Sequence, residues 1–232
     1  MSDTEKSGRE SRVFRVRARG SIACFTRPEM KVERVSYEVM TPSAARGLLE
    51  AVIWKPAIEW RIHAIEVLAP IRWLSVRRNE VKSRASADKS MILADEDRAQ
   101  RNTVALRDVD YVLHASFIMT ARAGDADNVR KFEQIFERRL EKGQHHSAPF
   151  LGCREFAAAV EPARETPAPI DLGVDRPLGW IFYDFDWSGF EGHGAHRESQ
   201  PRMPLFFNAR LTDGVMHVPP RTVARRVNGE PQ

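Results

Sequence analysis

The sequence predicts an α+β protein: a βαββαβ domain over residues 1–160, with a linker and a small antiparallel β-sheet appended over 161–232. Three observations carry this expectation. Two stretches, 41–54 and 126–142, repeat apolar residues at helical spacing. Stretches at 13–19, 58–67 and 111–119 alternate or run apolar at strand length, and the last third breaks into short strand-like runs around an Asp213-Gly214 turn.

Taken in order, residues 1–11 form a polar tail, and 13–19 the first strand, with Arg15, Arg17 and Arg19 alternating onto one face. After a charged connection comes the first helix. Thr41 caps it, Pro42 suits its first position, and Ala45, Leu48, Leu49, Val52 and Ile53 share one face. Lys55-Pro56 ends it, because the residue before a proline is driven out of the α region. Residues 58–67 and 71–81 read as strands separated by an Ala69-Pro70 turn, 82–103 as a long exposed loop, and 111–119 as a strand. The second helix takes Asp125 or Asp127 as its cap, buries Val129, Phe132, Ile135, Phe136 and Leu140, and stops at Gly143. A strand at 150–156 follows. Apart from one strand more between the two helices, the order is that of a ferredoxin-like, RNA-recognition-motif-like domain. Prolines 162, 167, 169 and 177 mark a linker, and 178–187, 205–211 and 215–218 are expected as the appended strands, with a flexible 188–203 segment between the first two.

Composition narrows the chemistry. With 232 residues and a net charge of +4, the chain can bury a large core and is compatible with a polyanionic partner. Arg72, Arg77, Arg78, Lys82 and Arg84 cluster against Glu80 alone. Cys24 and Cys153 stand far apart outside any paired-ligand motif, which points to reduced thiols packed as small hydrophobes. No apolar run is long enough to cross a bilayer and no signal-peptide pattern opens the chain, so the expected location is cytoplasmic with no membrane partner. His193 and His196, with His217 further on, lack carboxylate or cysteine partners at ligand spacing, and no phosphate-cradling glycine loop occurs. Neither a metal nor another cofactor is expected.

Four segments carry a family resemblance: 24–37, CFTRPEMKVERVSY; 41–47 with Trp54-Lys55-Pro56; 76–81, VRRNEV; and 151–156, LGCREF. They resemble the fifth CRISPR-associated protein family, in its subtype I-C branch. The resemblance implies a ferredoxin-like RNA-binding fold. It also implies a subunit that grips the repeat-derived 5′ handle of a CRISPR RNA and sits beside the backbone and large subunits of a type I-C Cascade surveillance complex, meeting target DNA through that complex. It further implies metal-independent endoribonuclease activity on precursor CRISPR RNA at the repeat hairpin.

Such cleavage is an internal transfer, in which a 2′-hydroxyl attacks the adjacent phosphate and a 5′-oxygen leaves. It calls for a base, a cation for the phosphorane and an acid for the leaving oxygen. Cleaving relatives usually carry tyrosine or histidine before Trp-Lys-Pro and a Lys-His pair at the start of the second helix. This chain has Ile53 at the first position and Lys131-Phe132 at the second. The catalytic candidates are therefore Lys131 for charge, His145 and His146 as substitute acid and base, and Tyr37 as the tyrosine nearest the first helix. The RNA-binding candidates are Phe25, Arg27, Lys31, Arg34, Arg46, Arg77, Arg78 and Lys82, cations for phosphate and a ring for stacking. The competing reading is a handle-binding assembly subunit that does not cut, because apolar Ile53 and Phe132 cannot move protons.

Overall fold

A computed structural model describes residues 9–30, 32–83, 93–170, 175–186 and 203–226. Its elements are β1 (Phe14–Ala23), β2 (Arg34–Val35), α1 (Pro42–Val52), β3 (Ile58–Val67), β4 (Trp73–Val81), β5 (Arg98–Met119), α2 (Val129–Glu141), β6 (Ala159–Pro162), β7 (Arg176–Phe185), β8 (Pro204–Thr212), β9 (Val215–His217), a 3₁₀ turn at Arg221–Val223 and β10 (Arg225–Arg226). All the strands belong to one sheet.

β5 is the spine. Its second half pairs antiparallel with both β1 and β3, and β1 pairs antiparallel with β6, giving a central order β6-β1-β5-β3. Its first half pairs with β4, Trp73 opposite Leu106 through Val81 opposite Arg98. Between these halves Asp108 takes a left-handed φ of 52°, a conformation that short polar side chains tolerate best and that lets the strand change partners. Two expectations are corrected here. Residues 98–103 are not loop but strand, because β4 supplies a ladder that overrides their weak local propensity; 84–92 lie outside the described residues. β3 and β4 do not pair with each other either, since each finds its partner in β5; the strand expected at 71–81 forms as β4, outside the central four.

Alternation gives the central sheet two unlike faces. Phe14, Val16 and Ala18 point inward with Trp60, Ile62, Leu113, Ala115 and Phe117. α2 lies on this face, Phe136 meeting Phe14 at 4.9 Å and Trp60 at 4.7 Å between ring centroids. α1 packs on β3 and β7 and touches α2. Thr41 caps α1 by accepting the Ala44 N–H, as expected. The α2 cap is Asn128, not Asp125 or Asp127, and its side chain accepts the Lys131 N–H. Gly143 follows the helix with a φ of 60°. On the outer face the arginine stripe of β1 is neutralised: Arg17 makes two bonds to Asp110, at 2.9 and 2.6 Å, while Arg15 and Arg19 pair with Glu66 and Glu161.

The strand expected at 150–156 is a tight loop. Leu151 N–H bonds Phe156 O, and Gly152 sits at φ 81° with the site of a Cβ only 2.1 Å from Cys24 O, a place no side chain fits. Strand structure starts later, at Ala159. In the C-terminal region β7, β8 and β9 form as expected, and Asp213-Gly214 turns with positive φ at both residues. β9 pairs with β3, Ala64 opposite His217, so these strands continue the main sheet. Most of the expected flexible segment, residues 188–202, lies outside the described residues, as do His193 and His196.

Candidate nucleic-acid interface

Two surfaces gather the expected residues. The first is the end of the molecule where α1 stops and α2 starts. Lys131 stands in the first turn of α2, its Nζ 2.8 Å from Asp127 Oδ1. That hydrogen bond, with one from the Gly124 N–H, holds the Asp127 carboxyl below the usual carboxylate range, and Lys55 adds its charge in the same sense. Lys55 therefore belongs to this cluster, although only its place in Trp54-Lys55-Pro56 could have signalled it. Phe132 turns the other way, 2% exposed and edge-on to Phe117; Ile53 is fully buried at the C-cap of α1.

His145 and His146 are exposed, and the loop that carries them docks on the last turn of α1. His146 N–H donates to Ala51 O at 2.7 Å, Ser147 N–H to the same carbonyl, and Arg139 reaches Val52 O. These donors satisfy carbonyls that a helix end leaves open. The His146 ring lies nearly parallel to half-exposed Trp54, centroids 6.3 Å apart. Lys131 is at the opposite end of α2, with roughly 12 Å of helix between it and Arg139. The structure thus groups His146 with Trp54, and Lys131 with Lys55 and Asp127. Tyr37 is elsewhere: it is 2% exposed, Arg27 lies 4.5 Å over its ring, and burial pushes its phenol up to about 12. A phenol so placed is a packing group.

The second surface is the β4–β5 hairpin. Arg77 is exposed on β4 and makes no ion pair among the described residues, and Lys82 is exposed just beyond the strand. Arg78 faces the other way, bonded to Thr103 Oγ1 at 2.7 Å and to Glu80 and Glu155. Arg34 shares those two glutamates and donates to Cys153 Sγ at 3.3 Å. Cys24 and Cys153, far apart in sequence, meet here. A hydrogen bond from Cys24, and then the charge of Arg34, bring Cys153 down to about 6, while the same bond and burial push Cys24 up. Arg46 is also committed, to Asp184 at 3.0 and 3.2 Å and to Glu50 at 2.6 Å. Phe25 is 3% exposed and offers no open face. Lys31 lies outside the described residues.

An antiparallel sheet covered on one face by two helices, with exposed cations at the start of α2 and along the β4–β5 hairpin, defines an α+β protein equipped for a polyanion. Residues 13–219 match the family model described as CRISPR-associated protein (Cas_Cas5), and the chain belongs to that family. The "CRISPR pre-crRNA endoribonuclease Cas5d" of Mannheimia succiniciproducens is 45% identical over 218 residues, 87% of this chain and 92% of its own. The protein of the same description from Thermus thermophilus is 40% identical over 215 residues, 89% of this chain and 91% of its own. Two solved structures share the fold at 24% identity. A functionally uncharacterized Streptococcus mutans protein aligns with a TM-score of 0.67 over 93% of this chain and 96% of its own. A CRISPR-associated protein aligns with 0.69 over 94% and 96%.

Proposed function

We propose that the chain is a precursor CRISPR RNA endoribonuclease that keeps hold of the repeat-derived 5′ handle, as a subunit of a type I-C Cascade complex in the cytoplasm. The observation that carries this is identity of 40–45%, over nearly the whole length, to two relatives named as enzymes of that activity. The ferredoxin-like reading of the core accords with the all-antiparallel order β6-β1-β5-β3 beneath two helices. Among the described residues no helix is long and apolar enough to span a membrane.

The chemistry assigned to this site is transfer within the RNA, needing no metal. The 2′-oxygen bonds to the adjacent phosphorus, the bond to the 5′-oxygen breaks, and the products are a 2′,3′-cyclic phosphate and a 5′-hydroxyl. Lys131, with Lys55 beside it, stabilises the charge that grows on the phosphorane. Trp54 and His146 present two near-parallel rings at the end of α1 against which a base next to the scissile phosphate can stack, and the His146 imidazole supplies the acid or base there. Asp127 fixes the Lys131 ammonium.

One observation favours a second reading. Ile53 and Phe132 occupy the two positions where cleaving relatives usually carry proton-transfer groups, and both are buried. A missing general acid or base typically costs 10²- to 10⁴-fold in rate. On that reading the chain binds the handle and another component cuts. The deciding experiment incubates the purified protein with its cognate repeat RNA in EDTA and resolves products by length and end chemistry. One cut at the hairpin base leaving a 5′-hydroxyl is the expected result. Tight binding without a cut overturns the nuclease and leaves the binding subunit.

A further inference from the structure

The C-terminal strands hold another surface with the chemistry of a nucleotide site, on different elements from Lys131. β8 has β7 along one side; on the other it has β9 at Leu211–Thr212 and β10 at Leu205–Phe206. On that second side, the part of β8 between those two contacts has no strand beside it among the described residues, and a cavity of about 550 Å³ opens there. Trp180 of β7, 50% exposed, forms one wall, and its ladder partner Asn208 lies on the same face. His217 and Arg225 come from the strands on the far side of β8. No acidic side chain lines this cavity among the described residues.

A second cavity of about 420 Å³ shares Val218 and Pro219 with the first, and continues past Arg221 and Arg61 to Trp60 on β3. Arg61 is exposed and makes no ion pair among the described residues. Two acids reach this second cavity. Asp184 is tied to Arg46, which leaves Glu59 on the rim.

A flat aromatic face, an amide with both donor and acceptor, and guanidinium groups are the parts that hold unpaired bases and their phosphates. Apolar side chains make up most of both linings, so charge is what favours RNA over a docked protein: Arg225, Arg221 and Arg61 make the rim mainly cationic. We propose that the paired cavities bind consecutive nucleotides of single-stranded RNA. One base stacks on Trp180 with its edge on Asn208, Arg225 takes a phosphate, and the strand crosses Pro219 so that the phosphate of the next nucleotide meets Arg61.

This rests on the RNA-binding reading above, and the test separates the two. Full-length protein is titrated with its repeat RNA, and wild type is compared with Trp180→Ala, Trp180→Phe and the double variant Arg61→Ala, Arg225→Ala, each checked for an unchanged melting temperature. In parallel, repeat RNA carrying 5-iodouridine is photocrosslinked and the adduct mapped by mass spectrometry. The expected result is a loss of tenfold or more in affinity for Trp180→Ala, at about 1.4 kcal/mol per decade of the stacking energy. Trp180→Phe should stay near wild type, the arginine variant should show a shallower salt dependence, and adducts should fall on β7 or β8. Tight wild-type binding with Trp180→Ala unaffected and no adduct there overturns this site alone, and leaves Trp180 to a protein contact. Wild type that fails to bind the repeat overturns the RNA-binding reading and this site with it.

Discussion

Lys131 and Phe132 are neighbours with opposite fates, one paired with Asp127 at the surface and the other edge-on to Phe117 in the core. The sequence already shows this split, since Phe132 is in phase with Phe136 and Leu140. Lys131→Ala should therefore lower cleavage with little change in affinity for the repeat; single-turnover rates beside titrations check it, and unchanged cleavage removes Lys131 from the mechanism. The thiol pair was not legible, because nothing local in a sequence announces contact between Cys24 and Cys153 across 129 positions. It has a pH signature. The folded Cys153 pKa, about 6, lies below the ordinary thiol value of 9.0, so between those limits the unfolded chain binds more protons than the folded one. Stability from this group is complete above about 9 and is lost as pH falls through about 6. The melting temperature of wild type should accordingly rise across that window more than that of Cys153→Ser, and parallel profiles would refute a thiolate held by Cys24 and then Arg34.

At the scale of the element, the cations of the hairpin divide by face. Arg77 and Lys82 are exposed, whereas Arg78 is spent on Thr103, Glu80 and Glu155. Two adjacent arginines on a strand point to opposite sides, so their different roles follow from period-two alternation once the strand is known. Arg77→Ala with Lys82→Ala should weaken RNA binding and reduce the salt slope by up to about 2, at roughly one unit per phosphate contact, with the melting temperature unchanged. Salt titrations of the repeat complex read this directly. Arg46→Ala should act in the opposite way. It strands Asp184, which is 7% exposed, and breaking such a buried pair costs about 3 kcal/mol or more, visible in urea unfolding while the salt slope stays put. Arg46 looks like any other basic residue of a family-like segment in the sequence, since the buried one of its two acid partners, Asp184, lies 138 positions away.

For the molecule as a whole, β5 ties the hairpin, the helix-covered core and β1 together, and β9 fastens the C-terminal strands to β3. Residues 1–160 expressed alone should fail to fold cooperatively, because the cut exposes the β3 edge and removes Phe207, Leu211 and Met216 from the common core. Circular dichroism melts of the fragment test this, and a sharp two-state transition would show a self-sufficient first domain. The sequence by itself determined both helices, their buried faces, the Thr41 cap, the Asp213-Gly214 turn and the family, because these rest on periodicity, capping and contiguous motifs that act over a few residues. Tertiary structure alone decided that 98–103 are strand, that 150–156 are loop, that Phe25 and Tyr37 are enclosed, and which arginines remain free. Each of those outcomes depends on a partner supplied from far along the chain: β4 for Arg98–Thr103, Cys24 for Gly152, and Glu155 or Asp184 for an arginine.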